Sequence, residues 1–125
     1  MNAEALKELF KPFGDVAVKR MFCGYGVYAE GLCFAIESDS EVFLKVDTES
    51  RASFSAAGSS PFIYLAKGKP MATSYWRLPA NARGEAGELI RWAKLGLEAA
   101  RRAVEAKAKP KTQRRKHAEI RSKGV

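Results

Sequence analysis

The stretch LCFAIESDSEVFLKV, residues 32–46, decides the fold. Leu32, Phe34 and Ile36 alternate with Cys33 and Ala35, and Val42, Leu44 and Val46 alternate with Phe43 and Lys45. A period of two belongs to strands packed on one face, because successive side chains point to opposite sides of the backbone. Between the two runs stand Ser38, Asp39 and Ser40, a turn-forming group with room only for a tight reversal. Two strands joined so closely lie antiparallel.

Upstream, residues 16–22 and 27–30 read as two more strands, with Gly24 and Gly26 bracketing Tyr25 in a turn and Gly31 opening the next. Residues 3–11 form a short helix capped by Asn2, with Leu6, Leu9 and Phe10 on one face. Pro12 and Gly14 end it, and Phe13 joins the same apolar patch. Downstream, Asp47 or Thr48 caps a helix reaching residue 57, with Ala52, Phe54 and Ala56 as its thin apolar side and Gly58 as its stop. Pro61 opens a strand through Phe62, Ile63, Tyr64 and Leu65. The turn Lys67-Gly68-Lys69-Pro70 leads to a last strand over residues 73–78, which Pro79 terminates. Residues 84–107 carry the strongest helical pattern, with Leu89, Ile90, Ala93, Leu97, Ala100 and Val104 on one stripe and Trp92 just outside it. The order α-β(4)-α-β(2)-α predicts an α+β fold, an antiparallel sheet with helices packed on one face.

The whole chain has 125 residues, 46% hydrophobic and 29% charged, which fits one domain. The pattern assigns residues 1–107 to it. Beyond Lys107 the apolar period stops and Pro110 blocks the helix, so residues 108–125 read as a basic, disordered tail. No apolar run approaches membrane-spanning length, and the opening MNAEALKELF lacks the basic start and apolar stretch of a signal peptide. The expectation is a cytoplasmic protein with no membrane role. Two cysteines are too few for a disulfide scaffold.

The formal charge of +8 is unevenly placed. Residues 1–100 hold twelve basic and twelve acidic groups. The excess comes from Arg101, Arg102, Lys107, Lys109, Lys111, Arg114, Arg115, Lys116, Arg121 and Lys123, opposed only by Glu105 and Glu119. A neutral body with a basic tail points to DNA or RNA contact through the tail, or to a tail that serves solubility.

Signatures of catalysis are sparse. The only histidine, His117, lies in the basic tail, remote from a core able to orient it as a base. Cys23 and Cys33 lack zinc-site spacing. Cys33 reads as a small core residue of its strand, and Cys23 as a more exposed thiol in a glycine turn. Gly24-Tyr25-Gly26 falls short of a nucleotide loop because position 29 is Ala29. Asp39 with Glu41, and Glu85 with Glu88, are solvated turn and helix-start charges, the latter pair suited to a helix N-terminus. No cofactor, metal or enzymatic activity is expected. Tyr25, Tyr28, Phe62, Tyr64, Tyr75 and Trp76 fall on strands or their turns. Such aromatics fill a core or, on an open face, stack bases. Alternation puts Tyr75 and Trp76 on opposite faces, so at most one is core. Tyr25, Tyr75 and Trp76 form the candidate partner surface.

Arg20-Met21-Phe22-Cys23-Gly24-Tyr25-Gly26-Val27-Tyr28, then Gly31, Phe34-Ala35 and Leu44-Lys45-Val46-Asp47, resembles the N-terminal domain of the TfoX/Sxy competence-regulator family. Phe54, Gly58, Pro61-Phe62 with Tyr64, Tyr75-Trp76 with Pro79, and Trp92-Ala93 continue the likeness over residues 4–100. Cys23 departs from the pattern, replacing the glycine usual after Met-Phe. The resemblance implies an α+β fold like that of secretion chaperones and a non-enzymatic regulator that assists a transcription factor. Longer members carry a second, helical domain, whereas a basic tail follows here. The leading expectation is therefore a TfoX-like regulator acting through protein contacts, its tail adding sequence-blind nucleic-acid affinity. The alternative is a chaperone-like homodimeric module that binds a protein or peptide and has no nucleic-acid role.

Overall fold

The structure, a computed structural model, describes residues 2–21 and 24–117, with backbone alone for residues 66 and 107–117. The helix α1 (Ala3–Leu9) starts where Asn2 accepts the Ala5 N–H at 2.9 Å. Then come β1 (Ala17–Met21), β2 (Gly24–Ala29), β3 (Leu32–Ser38) and β4 (Glu41–Lys45). A short helix α2 (Arg51–Ala56) precedes β5 (Pro61–Ala66) and β6 (Lys69–Arg77). A 3-10 turn (Ala80–Arg83) leads into the long helix α3 (Ala86–His117). All six strands join one antiparallel sheet in the order β1-β2-β3-β4-β6-β5, as the sequence pattern predicted in outline.

Three hairpins turn on two residues each, both left-handed: Glu30–Gly31, Asp39–Ser40 and Lys67–Gly68. That handedness matches the twist of the strands it joins. Ser40 pays a steric penalty there as a non-glycine, offset by its N–H donating to Glu37 Oε2 at 2.8 Å.

Gly24-Tyr25-Gly26 does not form the expected turn: it begins β2. These glycines answer to space. A Cβ at Gly24 would stand 1.9 Å from the Glu37 carbonyl oxygen, and one at Gly26 would meet the Met21 sulfur at 2.8 Å. Side chains at those positions would force β2 away from its neighbours.

The neat alternation of residues 32–36 is broken by a bulge. Val27 pairs with Ala35 but Tyr28 pairs with Cys33, leaving Phe34 as an extra residue. Phe34 and Ala35 both enter the main core, whereas Ile36 pairs with Gly26 and turns to the other side of the sheet.

That core lies on the helix side. Leu6 and Phe10 of α1, Phe54 of α2, and Leu89, Trp92, Ala93, Leu97 and Ala100 of α3 pack on Val27, Phe34, Ala35, Val42 and Leu44. Gly96 allows α3 to cross close to the sheet, since a Cβ there would lie 3.1 Å from the Phe34 carbonyl oxygen. The buried stripe of α3 is rotated from the predicted one. Trp92 is buried against Phe54, with ring centroids 4.7 Å apart, while Ile90 and Val104 are exposed. Periodicity locates a stripe, but the width of the sheet and the position of α2 decide where burial begins and ends.

The helix also runs past Pro110, contrary to the expectation that it stops near residue 107. Proline removes one N–H and crowds the carbonyl four residues back. That carbonyl belongs to Ala106, which is exposed, so water can satisfy it. Gly58 does end α2, with φ +81° and the Ser59 N–H returning to the Phe54 carbonyl at 3.0 Å.

Candidate interaction surfaces

The basic residues counted toward a tail divide at once. Arg101 binds Glu30 through two bonds, Nε to Oε1 at 3.0 Å and Nη2 to Oε2 at 2.6 Å. Arg102 grips Asp47 in the same forked way, Nε to Oδ2 at 2.6 Å and Nη2 to Oδ1 at 3.0 Å. Both arginines therefore tie α3 to loops of the sheet and are engaged with carboxylates. Asp47 also accepts the Ser50 N–H at 3.1 Å, organising the turn before α2 rather than capping the helix. The Arg102 guanidinium is the main reason its carboxyl is held down at about 2. Arg101 likewise lowers Glu30.

Lys107, Lys109, Lys111, Arg114, Arg115 and Lys116 follow on the backbone of α3, and His117 ends it. Arg121 and Lys123 lie outside the described residues, as does Cys23.

The sheet face opposite the helices carries its own small cluster. Ile36 and Phe43 are buried there, away from the main core, and the Phe62 ring sits 4.8 Å from that of Phe43. Three cations lie over aromatic rings: Lys19 Nζ 5.0 Å from the centre of Tyr28, Lys45 Nζ 5.2 Å from Tyr75, and the Arg77 guanidinium 5.9 Å from Phe43.

Cys33 belongs to this face and is only partly buried, which corrects its reading as a core residue. The bulge at Phe34 is the cause, because it shifts Cys33 to the side of Tyr28. Burial, and then the neighbouring Cys33 thiol, push the Tyr75 phenol above its ordinary value. The same thiol is the chief cause of a rise at Tyr28.

Tyr75 and Trp76 do take opposite faces. Tyr75 joins the open-face cluster, while Trp76 packs partly on the main core. Beside Trp76 is a shallow groove of about 390 Å³ bordered by Val46, Arg51 and Pro61. Tyr25 is also partly buried on the core side, with the Arg20 guanidinium 5.7 Å from its ring. The three residues of the predicted partner surface thus occupy separate places and do not form one patch.

Sequence reasoning missed the apolar hairpin tip, where Ile63, Leu65 and Met71 are exposed. The signal was present: Phe62-Ile63-Tyr64-Leu65-Ala66 has no charged residue. Among the described residues no group of three or more His, Cys, Asp or Glu is placed to hold a metal ion. No helix among them is long and apolar enough to cross a membrane.

No curated protein matches the chain. A family model, the TfoX N-terminal domain, matches residues 8–100, a span that holds all six strands and the packed part of α3. With its motif glycines at close strand contacts and its motif aromatics Phe34, Phe54 and Trp92 in the core, the chain belongs to the TfoX N-terminal domain family, a regulatory family and not a catalytic one.

Proposed function

We propose that this protein is a non-enzymatic regulator whose folded body makes protein contacts and whose basic C-terminal segment adds sequence-blind affinity for DNA or RNA. Charge segregation carries the reading. Arg101 and Arg102 are taken up by Glu30 and Asp47, and residues 1–100 balance twelve basic against twelve acidic groups. The eight basic residues from Lys107 to Lys123 then stand against Glu119 alone. Such a segment attracts phosphate through counterion release, which positions a protein on nucleic acid without reading bases. The protein partner in this reading is another DNA-bound factor, such as the transcription factors that TfoX-like regulators assist.

The test is fluorescence-anisotropy binding to unrelated duplex DNAs across a salt series. The full chain is compared with a variant bearing Gln at Lys107, Lys109, Lys111, Arg114, Arg115 and Lys116. Equal affinity for all sequences is expected, with the slope of log K against log salt reduced by about 5 in the variant. Strong sequence preference, or binding unchanged by the six replacements, overturns the proposal. If neither chain binds at moderate salt, the protein is a partner-binding module without a nucleic-acid role, a reading favoured by the exposed apolar residues of the β5–β6 hairpin.

A further inference from the structure

The sheet has two edges, β1 and β5, and they differ in kind. β1 carries Lys19 and Arg20 side by side, the sort of charge that keeps an edge from pairing with a second copy. β5 has no charged residue, and its only proline is its first residue. Six large apolar side chains are exposed among the described residues. Four of them lie on β5 or on β6 beside it: Ile63 at 48%, Tyr64 at 37%, Leu65 at 66% and Met71 at 53%.

Hairpin geometry decides which backbone groups face outward. The two-residue turn Lys67–Gly68 makes Ala66 and Lys69 the hydrogen-bonded pair that closes it. By alternation Tyr64 also directs its N–H and C=O toward β6; between Ile63 and Pro61 the register with β6 shifts, yet β5 keeps its phase. Two bonds agree with this phase: the Phe62 carbonyl accepts from Thr73 Oγ1 at 2.9 Å, and the Ser60 carbonyl accepts the Arg77 N–H at 3.0 Å. Ile63 and Leu65 therefore aim their N–H and C=O away from the sheet. Pro70, opposite Leu65, occupies a position where its missing N–H costs the hairpin nothing.

We propose that β5 pairs antiparallel with β5 of a second copy of this chain, about a two-fold axis at Tyr64, joining two six-stranded sheets into one. In that register Ile63 of each copy faces Leu65 of the other, and four N–H···O=C bonds form between residues that each offer both groups. An axis at Ile63 would also form four bonds but would leave the Leu65 carbonyl of each copy unpaired, because Pro61 opposite it has no N–H. The paired strand itself carries no charge; the nearest cation, Lys67, would stand opposite Pro61 of the other copy, at the end of the short interface. At β1 an axis at the central Lys19 would set that cation against its own copy, with an Arg20 on either side. An edge of this length makes a small interface, so the dimer is concentration-dependent. The inference does not depend on the nucleic-acid reading.

Sedimentation equilibrium of the full chain, at high salt and over a wide concentration range, tests it. The mass is expected to rise from 13.8 kDa toward twice that value. Leu65→Lys should return the chain to a monomer, and Val104→Lys, at an exposed apolar site on α3, should not. Tyr64→Cys supplies the register. With both native thiols replaced (Cys23→Ser and Cys33→Ser), the residue at a two-fold axis faces its own copy at a separation a disulfide can span, so mild oxidation should give a covalent dimer absent from that background alone and from Ile63→Cys placed in it. A chain that stays monomeric at all concentrations overturns the proposal. So does a dimer that survives Leu65→Lys, or one that cross-links through Ile63→Cys and not through Tyr64→Cys.

Discussion

The half of the sheet under the helices and the β5–β6 hairpin share one hydrogen-bonded ladder but solve different problems. Beneath α1 and α3, Val27, Phe34, Ala35, Val42 and Leu44 are shut away from water, and the aromatic contacts are close: Phe10 and Phe34 lie 5.4 Å apart and nearly edge to face. In the hairpin, residues of equal hydrophobicity stay exposed, since the packing of α3 is concentrated on β3 and β4. Apolar content alone therefore does not make a core. Position under a covering element does, and an uncovered apolar edge stays open to solvent.

Substitutions can break or sharpen that contrast. The largest effect belongs to Phe34→Ala, which empties the site between Phe10 and Phe13 and should cost about 3–5 kcal/mol in urea unfolding. A loss below about 1 kcal/mol would mean that the helices do not seal this half. Gly96→Val comes next. Its side chain would press on the Phe34 carbonyl and Leu44, so about 1–3 kcal/mol should be lost as α3 lifts from the sheet.

The Arg102–Asp47 fork should contribute about 1 kcal/mol, measured by a double-mutant cycle with Arg102→Met and Asp47→Asn. Its pH dependence has a definite sign. The folded carboxyl titrates at about 2, below its ordinary 3.8, so the contribution is complete above pH 5 and fades as pH falls from about 4 toward 2. Acid unfolding of Asp47→Asn should be correspondingly flatter in that window. The smallest effect is expected at Leu65→Ala in the monomer, within about 0.5 kcal/mol, because the side chain is already in water. A larger loss, measured in dilute solution where any dimer has dissociated, would place Leu65 inside the fold and erase the contrast.

Much of the architecture was legible because it depends on local chemistry. The alternation of Val42, Leu44 and Val46 specified β4, Gly58 ended α2, and Asn2 capped α1. The candidate surfaces were less legible. Tyr75 and Trp76 parted to opposite faces as alternation requires, yet only the register with β4 shows which faces the helices. Arg101 and Arg102 look like the start of a basic run. Their carboxylate partners stand 71 and 55 positions away, a separation that no local pattern reveals.

The sequence by itself determined the class of fold, the antiparallel strand pairs, the family and the concentration of positive charge toward the C-terminus, because each follows from spacing, composition or motif. Tertiary structure alone decided that Cys33 leaves the core, that Trp92 enters it and that β5 is left at an edge. Those outcomes turn on a one-residue bulge, on where α3 crosses the sheet and on how far it reaches, all of which are set by contacts between residues remote in the chain.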